Sequence, residues 1–380
     1  MRLFFLALIF LMFTALISCS EHSVLKAERS LEPVMLAPPG SMLKGWDVCN
    51  QNGKEILYAL HRDSSQVLFF DVAGGKPFTS VSLHQLDSLS PNNKDFGICA
   101  RSTDSIFVLI PETRTICLLN DKGNIIKKYH TDIAIQGITD YCMVATFDSK
   151  LLCDGNALYV STTRLDLVLR TPEARKQYYT VYPELRIPLN GEPAVVLNGV
   201  WPEAYKKGLH TRDYFPQRIL LPKGKQYVGF AGTDFVFERS SDSQLQYHKT
   251  ATPSLSSVHS YPDEKLGHFD YLEEYDITES RFFAFLYDAH RNYCCRVVHH
   301  STPYRNADSV TVKHWFDKPW SVAVFNENLE AIHEIAFDPK LYLPGIIPVK
   351  EGWLVRKRKL SGTLTADQTE FVLFQLNSGS

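Results

Sequence analysis

The chain has 380 residues, with 40 Lys plus Arg against 42 Asp plus Glu and a formal net charge of −2. A balance this near neutral implies no polyanion partner, and no nucleic-acid motif occurs, so nucleic acid is set aside as a ligand. The 23 Phe, 18 Tyr, 5 Trp, 20 Gly and 20 Pro suit a β-rich fold with many turns.

The chain opens with Arg2 and the apolar run Leu3–Ile17. That run is shorter than the roughly 20 residues a spanning helix needs, so it reads as a cleaved export signal. It ends Leu16-Ile17-Ser18-Cys19, which is similar to a bacterial lipobox. The similarity implies a signal peptide over 1–18, lipidation of Cys19 and membrane lipid as a partner. More than one acyl chain on a single residue gives stable anchoring. The expected place is the cell envelope at the outer membrane, facing the periplasm or the exterior. Residues 19–32 read as a tether and 33–380 as the folded domain, with Pro33–Leu36 as an isolated strand.

Next comes a meander: Glu55–Leu60, Gln66–Phe70 and Phe78–Leu83. Its clearest copy is Ser105–Ile110, Thr115–Leu119 and Ile125–Tyr129, with turns at Pro111–Arg114 and Asn120–Asn124. Ile56 matches Ile106, Phe70 matches Leu119 and Gly74 matches Gly123, an offset of 49 or 50 residues. A meander this small cannot bury its own apolar face, so copies must stack on it. A third copy starts at Ala157–Val160 and continues through Tyr178–Val181 and Leu185–Pro188, with an excursion or short helix at Glu203–Arg212. A fourth is Lys225–Phe230, Asp234–Arg239 and Gln244–Lys249. A fifth is Tyr271–Ile277, Arg281–Tyr287 and Tyr293–His299. Then follow Trp320–Phe325 and Glu330–Phe337, and finally Gly352–Lys357 and Glu370–Leu376.

Units of this period with four strands each predict an all-β propeller. There are six blades if Trp320–Phe337 completes the fifth unit, and seven if it stands alone; six is favoured. The last unit lacks an outer strand, so Pro33–Leu36 is expected to pair near Glu370–Leu376 and close the ring. Cys49, Cys99, Cys117, Cys142, Cys153, Cys294 and Cys295 show no ligand spacing, so reduced thiols, no metal and no cofactor are expected.

With these stretches in place, the chain resembles uncharacterised lipoproteins of Bacteroidota that carry a TolB-like six-bladed β-propeller, a domain of unknown function. The resemblance is carried by Leu16–Cys19, Ser105–Thr131, Ser90-Pro91-Asn92-Asn93, the hairpin Tyr287–Tyr293 and Pro319-Trp320-Ser321-Val322. It covers nearly the whole mature chain and implies an exported binding or scaffold protein connected with nutrient capture. It brings no established reaction.

Where a blade's inner strand begins, an acid beside an aromatic recurs: Trp46-Asp47, Asp95-Phe96, Asp140-Tyr141 and His268-Phe269-Asp270-Tyr271. Rings stack on the apolar face of a sugar and carboxylates accept its hydroxyl bonds. Trp46, Asp95, Asp140, His268 and Asp270 are therefore expected to converge at the channel mouth as a ligand site. The competing expectation is that Asp ends a turn while the aromatic packs between blades. Asp288, Arg291 and Arg296, crowded around one hairpin, are secondary candidates. The function expected is a binding or scaffold module for a glycan or protein partner. The alternative is a glycan hydrolase or lyase using carboxylates at the mouth.

Overall fold

The computed structural model describes residues 26–31, 43–72, 77–89, 96–135, 137–146, 149–167, 171–182, 184–207, 215–240, 245–250, 252, 255, 258–262, 265, 269–306, 312–358 and 369–376. After an N-terminal strand β1 (Lys26–Leu31), the chain forms six antiparallel sheets in succession. Blade 1 is β2 (Leu43–Gln51), β3 (Lys54–His61), β4 (Gln66–Asp71) and β5 (Pro77–Ser82). Blade 2 is β6 (Gly97–Ser102), β7 (Ser105–Ile110), β8 (Thr115–Leu119) and β9 (Ile125–His130). Blade 3 has a split inner strand, β10 (Tyr141–Val144) and β11 (Leu152–Cys153), both on β12 (Ala157–Arg164), then β13 (Glu184–Pro188) and β14 (Val195–Val196). Blade 4 is β15 (Gln217–Leu220), β16 (Gln226–Phe230), β17 (Thr233–Arg239) and β18 (Leu245–Lys249). Blade 5 is β19 (Arg281–Asp288), β20 (Tyr293–His299), β21 (Trp320–Phe325) and β22 (Ala331–Phe337). Blade 6 is β23 (Ile347–Val349), β24 (Gly352–Arg356) and β25 (Phe371–Gln375), with β1 as its outer strand.

The period of two along a strand explains how the blades cohere. Successive side chains point to opposite faces. On β7, Ile106, Val108 and Ile110 join blade 1 in one core, while Phe107 and Leu109 join blade 3 in another. On β3, Ile56, Tyr58 and Leu60 face blade 2, and Leu57 and Ala59 face blade 6. Each second strand is thus buried along most of its length because both of its faces are covered. Outer strands are not, and β9 exposes Ile126, Lys127 and Lys128. The first strands gather at the axis: β2 lies beside β6 and β23, and β19 beside β15 and β23.

Turn chemistry repeats with the blades. Asn120 Oδ1 accepts from the amides of Lys122 and Asn124, and Asn326 Oδ1 accepts from those of Asn328 and Glu330. Gly123 has φ +76°, and a Cβ there would meet the Ser82 carbonyl oxygen at 2.2 Å. Only glycine suits both demands.

Two expectations change in detail. Trp320–Phe337 does complete the fifth blade, giving six, but Tyr271–Ile277 is no strand. It lies in a helix, Phe269–Thr278. Tyr271 and Tyr275, one turn apart, both meet Tyr261 edge-on at 5.5 and 5.1 Å. Ring closure comes from β1, which pairs antiparallel with β25 from Lys26↔Gln375 to Leu31↔Phe371. These residues fall in the segment read as tether, whereas Pro33–Leu36 lies outside the described residues.

Candidate functional site

Antiparallel order puts the connections between second and third strands, and those between blades, on one face of the disc. All three described α-helices lie there. Helix α1 (Pro172–Tyr178) joins β12 to β13, α2 (Glu203–Lys206) joins blades 3 and 4, and α3 (Phe269–Thr278) joins blades 4 and 5. The α1 start follows from sequence: Thr171 caps it by accepting from the Ala174 amide at 3.2 Å, and Pro172 occupies its first turn.

Beside α1 is a small, shallow cleft lined by Ile135, Ile138, Tyr141, Thr162, Arg164, Tyr178 and Val181. Ile135 and Ile138 exchange backbone bonds at 2.9 Å and form a small turn over one side. Tyr141 and Tyr178 form deep, buried walls. The Arg114 guanidinium lies 4.4 Å from the Tyr141 ring centroid, and the Tyr178 hydroxyl is 3.2 Å from Thr163 Oγ1. Arg164 donates through Nε to Asp166 at 2.9 Å and through Nη1 to the Gln177 carbonyl at 3.3 Å. The bond from Arg164 holds the Asp166 carboxyl below the usual carboxylate range. Asp140 is exposed beside Tyr141, and its carbonyl accepts from the Leu165 amide at 3.0 Å. The cleft therefore presents the half-buried Ile138, Val181 and Arg164, the last already paired with Asp166, over a floor of buried Tyr141, Tyr178 and Thr162. Among the described residues, no carboxylate lines it.

The other expected site residues are distributed differently. Trp46 is not in a loop but inside β2, and it packs on Phe70 at 5.4 Å and Phe371 at 5.1 Å in the core between blades 1 and 6. Phe96 likewise packs between blades 1 and 2. Asp47 pairs with Lys150 at 2.8 Å. Lys150 comes from the break between β10 and β11, so this pair runs from blade 3 past blade 2 to blade 1 and crosses part of the axial channel. Asp95 and His268 lie outside the described residues, and Asp270 is in the first turn of α3.

Asp288, Arg291 and Arg296 bind the ring itself. Asp288 is wholly buried, taking bonds from the Trp353 indole at 2.8 Å and from Arg291 Nη1 at 2.9 Å. Arg291 also donates to the carbonyls of Val349 and Lys350 in blade 6. His290, next to it, meets Glu55 of blade 1 at 2.7 Å. This cluster lies on the face opposite the helices. Arg296 is fully buried over Phe282 and donates to the carbonyls of Phe230 and Thr233 and to Thr250 Oγ1. Burial pushes its pKa down to about 9. The described cysteines are free, and burial raises the Cys49 and Cys294 thiols to about 12.

No protein-family model matches the chain, and no curated protein matches it. Among solved structures it is similar to a member of the DUF4221 family from Bacteroides vulgatus, with a TM-score of 0.74 and 18% identity over 93% of this chain and 98% of that one. That likeness shows the fold. Two further structures are a luciferin-regenerating enzyme, at TM-score 0.47, 10% identity and 92% and 98% coverage, and a gluconolactonase from Xanthomonas campestris, at 0.42, 10%, 92% and 98%. Likeness at that level carries no argument about activity.

Proposed function

We propose that this chain is an exported, lipid-anchored propeller that binds a polyhydroxylated ligand, a glycan or a glycan fragment, without converting it. The ligand sits in the cleft between Ile135–Tyr141 and Tyr178–Val181. The observation that carries this reading is the lining itself: Ile138, Val181 and an oriented Arg164 over buried Tyr141, Tyr178 and Thr162, with no carboxylate among the described residues. Ile138 and Val181, half-buried at the mouth, meet the apolar side of a sugar ring, and Arg164 addresses its hydroxyls. Glycoside hydrolysis needs two carboxyl groups flanking the bond. Asp140 at the rim supplies one acid for orientation, which supports binding over cleavage. Export and anchoring rest on the apolar run and Cys19.

The test is a polysaccharide panel screened by calorimetric titration, with product analysis of each binder. Ile138→Arg, a half-buried lining position, should abolish binding and leave Tm unchanged. Binding that survives Ile138→Arg, or a ligand recovered cleaved, would overturn the proposal.

A further inference from the structure

Blades 3 and 4 meet around a charge imbalance. Glu184, wholly buried on β13, accepts from Arg218 Nη2, from Arg239 Nη2 at 3.0 Å and from the Tyr182 hydroxyl. Both guanidiniums are buried too, with side-chain exposures of 1% for Arg218 and 6% for Arg239. One carboxylate against two guanidiniums leaves a positive charge uncompensated. The nearby acid Asp154 is already engaged, taking the Tyr159 hydroxyl at 2.6 Å and the amides of Asn156 and Ala157.

The two arginines differ in how they are satisfied. Arg239 Nε donates to the Asn198 carbonyl at 2.7 Å, and its Nη1 to Gln226 Oε1 at 3.0 Å. Arg218 Nε and Nη1 are buried and have no acceptor among the described residues. Beyond Glu184, its Nη2 reaches only Ser161 Oγ, at 3.5 Å. Burial lowers the Arg218 pKa to about 10, which still leaves it charged at neutral pH. A buried donor without an acceptor is costly, and a buried charge without a partner more so. A water molecule would satisfy the N–H groups and leave the charge. An anion answers both needs.

We propose that a small monovalent anion of halide size binds Arg218 at Nε or at Nη1, which lie on opposite edges of the guanidinium, inside the interface of blades 3 and 4 and ties the two blades together. Ser161, which adjoins the same guanidinium at Nη2, shares a hydroxyl–hydroxyl bond of 2.6 Å with Ser149. Their mutual bond uses one hydroxyl hydrogen, and the other is left to turn toward the ion. A site this enclosed takes a structural ion, and it stands apart from the glycan cleft, on the other face of β12.

The direct test is a crystal soaked in sodium bromide. An anomalous peak within hydrogen-bonding distance of Arg218 Nε or Nη1 is expected. A non-anomalous water at those nitrogens, or bromide only at surface sites, would overturn the proposal. In solution, replacing gluconate by chloride at fixed ionic strength should raise the wild-type Tm saturably and leave Arg218→Met unmoved. An equal rise in both proteins would also overturn it. Should Arg218→Met fail to fold, the bromide experiment on the wild type decides alone.

Discussion

The indole Nε1 of Trp353 donates to the carboxylate of Asp288 across 2.8 Å, and both side chains are wholly buried. One residue ends β19 in blade 5 and the other lies on β24 in blade 6, so this bond rivets two blades. Asp288→Ala would leave the Trp353 indole without an acceptor and the Arg291 guanidinium without its carboxylate, keeping only the Val349 and Lys350 carbonyls. Removing one partner of a buried charge pair costs about 3–5 kcal/mol. Chemical denaturation should show a loss of that order, and a loss under about 1 kcal/mol would place the joint between blades 5 and 6 elsewhere.

The ring is closed by β1. Truncation after residue 25 should leave Tm unchanged, while truncation after residue 31 opens the edge of β25. Several ladder bonds at roughly 1 kcal/mol net each would go with it. Differential scanning calorimetry should find the longer truncation destabilised by more than about 5 °C. Equal melting of the two truncations would contradict closure by β1.

His299 gives the protein an acid-side weakness. Its ring stacks on Phe283 at 4.3 Å, faces Trp315 at 6.2 Å, and is buried with neither nitrogen bonded to a described residue. Burial first, then Arg281, Lys318 and His300, holds its pKa well below the usual 6.5. The unfolded chain therefore binds this proton at a higher pH than the folded one. Its contribution to stability is fully present above 6.5 and is lost as pH falls from there toward the folded pKa. In that window the slope should approach about 1.4 kcal/mol per pH unit. His299→Phe should flatten it in denaturation curves taken between about pH 7 and pH 5. An unchanged slope would show that His299 does not titrate in this way.

The period of the blades was legible because its signals are local: the alternation on β7, the Asn120 turn and Gly123 all act within a few residues. The closing strand was not, since Lys26–Leu31 carries no apolar alternation and forms because β25 offers an unpaired edge. Tyr271–Ile277 misled because aromatic composition favours strands, while its place in a connection, with Tyr271 and Tyr275 against Tyr261, makes it a helix. Of the doublet Asp140-Tyr141, Tyr141 is among the residues that line the cleft. Its partners Arg164 and Tyr178 arrive from a different connection, and no spacing in sequence announces that. Asp288 likewise drew notice as a candidate site, and its partner Trp353, 65 residues away, reveals a joint between blades.

The proposed anchoring rests on one cysteine, Cys19. Cys19→Ala should move the protein from the membrane pellet to the soluble fraction, and intact mass should fall by the acyl groups. A pellet-bound variant carrying no lipid would contradict the lipobox reading.

The central claim is a cleft that holds a glycan intact. The measurement that tests it most directly is a crystal structure with the tightest oligosaccharide from the panel. The account predicts an unbroken glycan with a ring against Ile138 and Val181 and hydroxyls toward Arg164 and Asp140. Ligand density on the opposite face or in the axial channel, or cleaved product in the cleft, would contradict it.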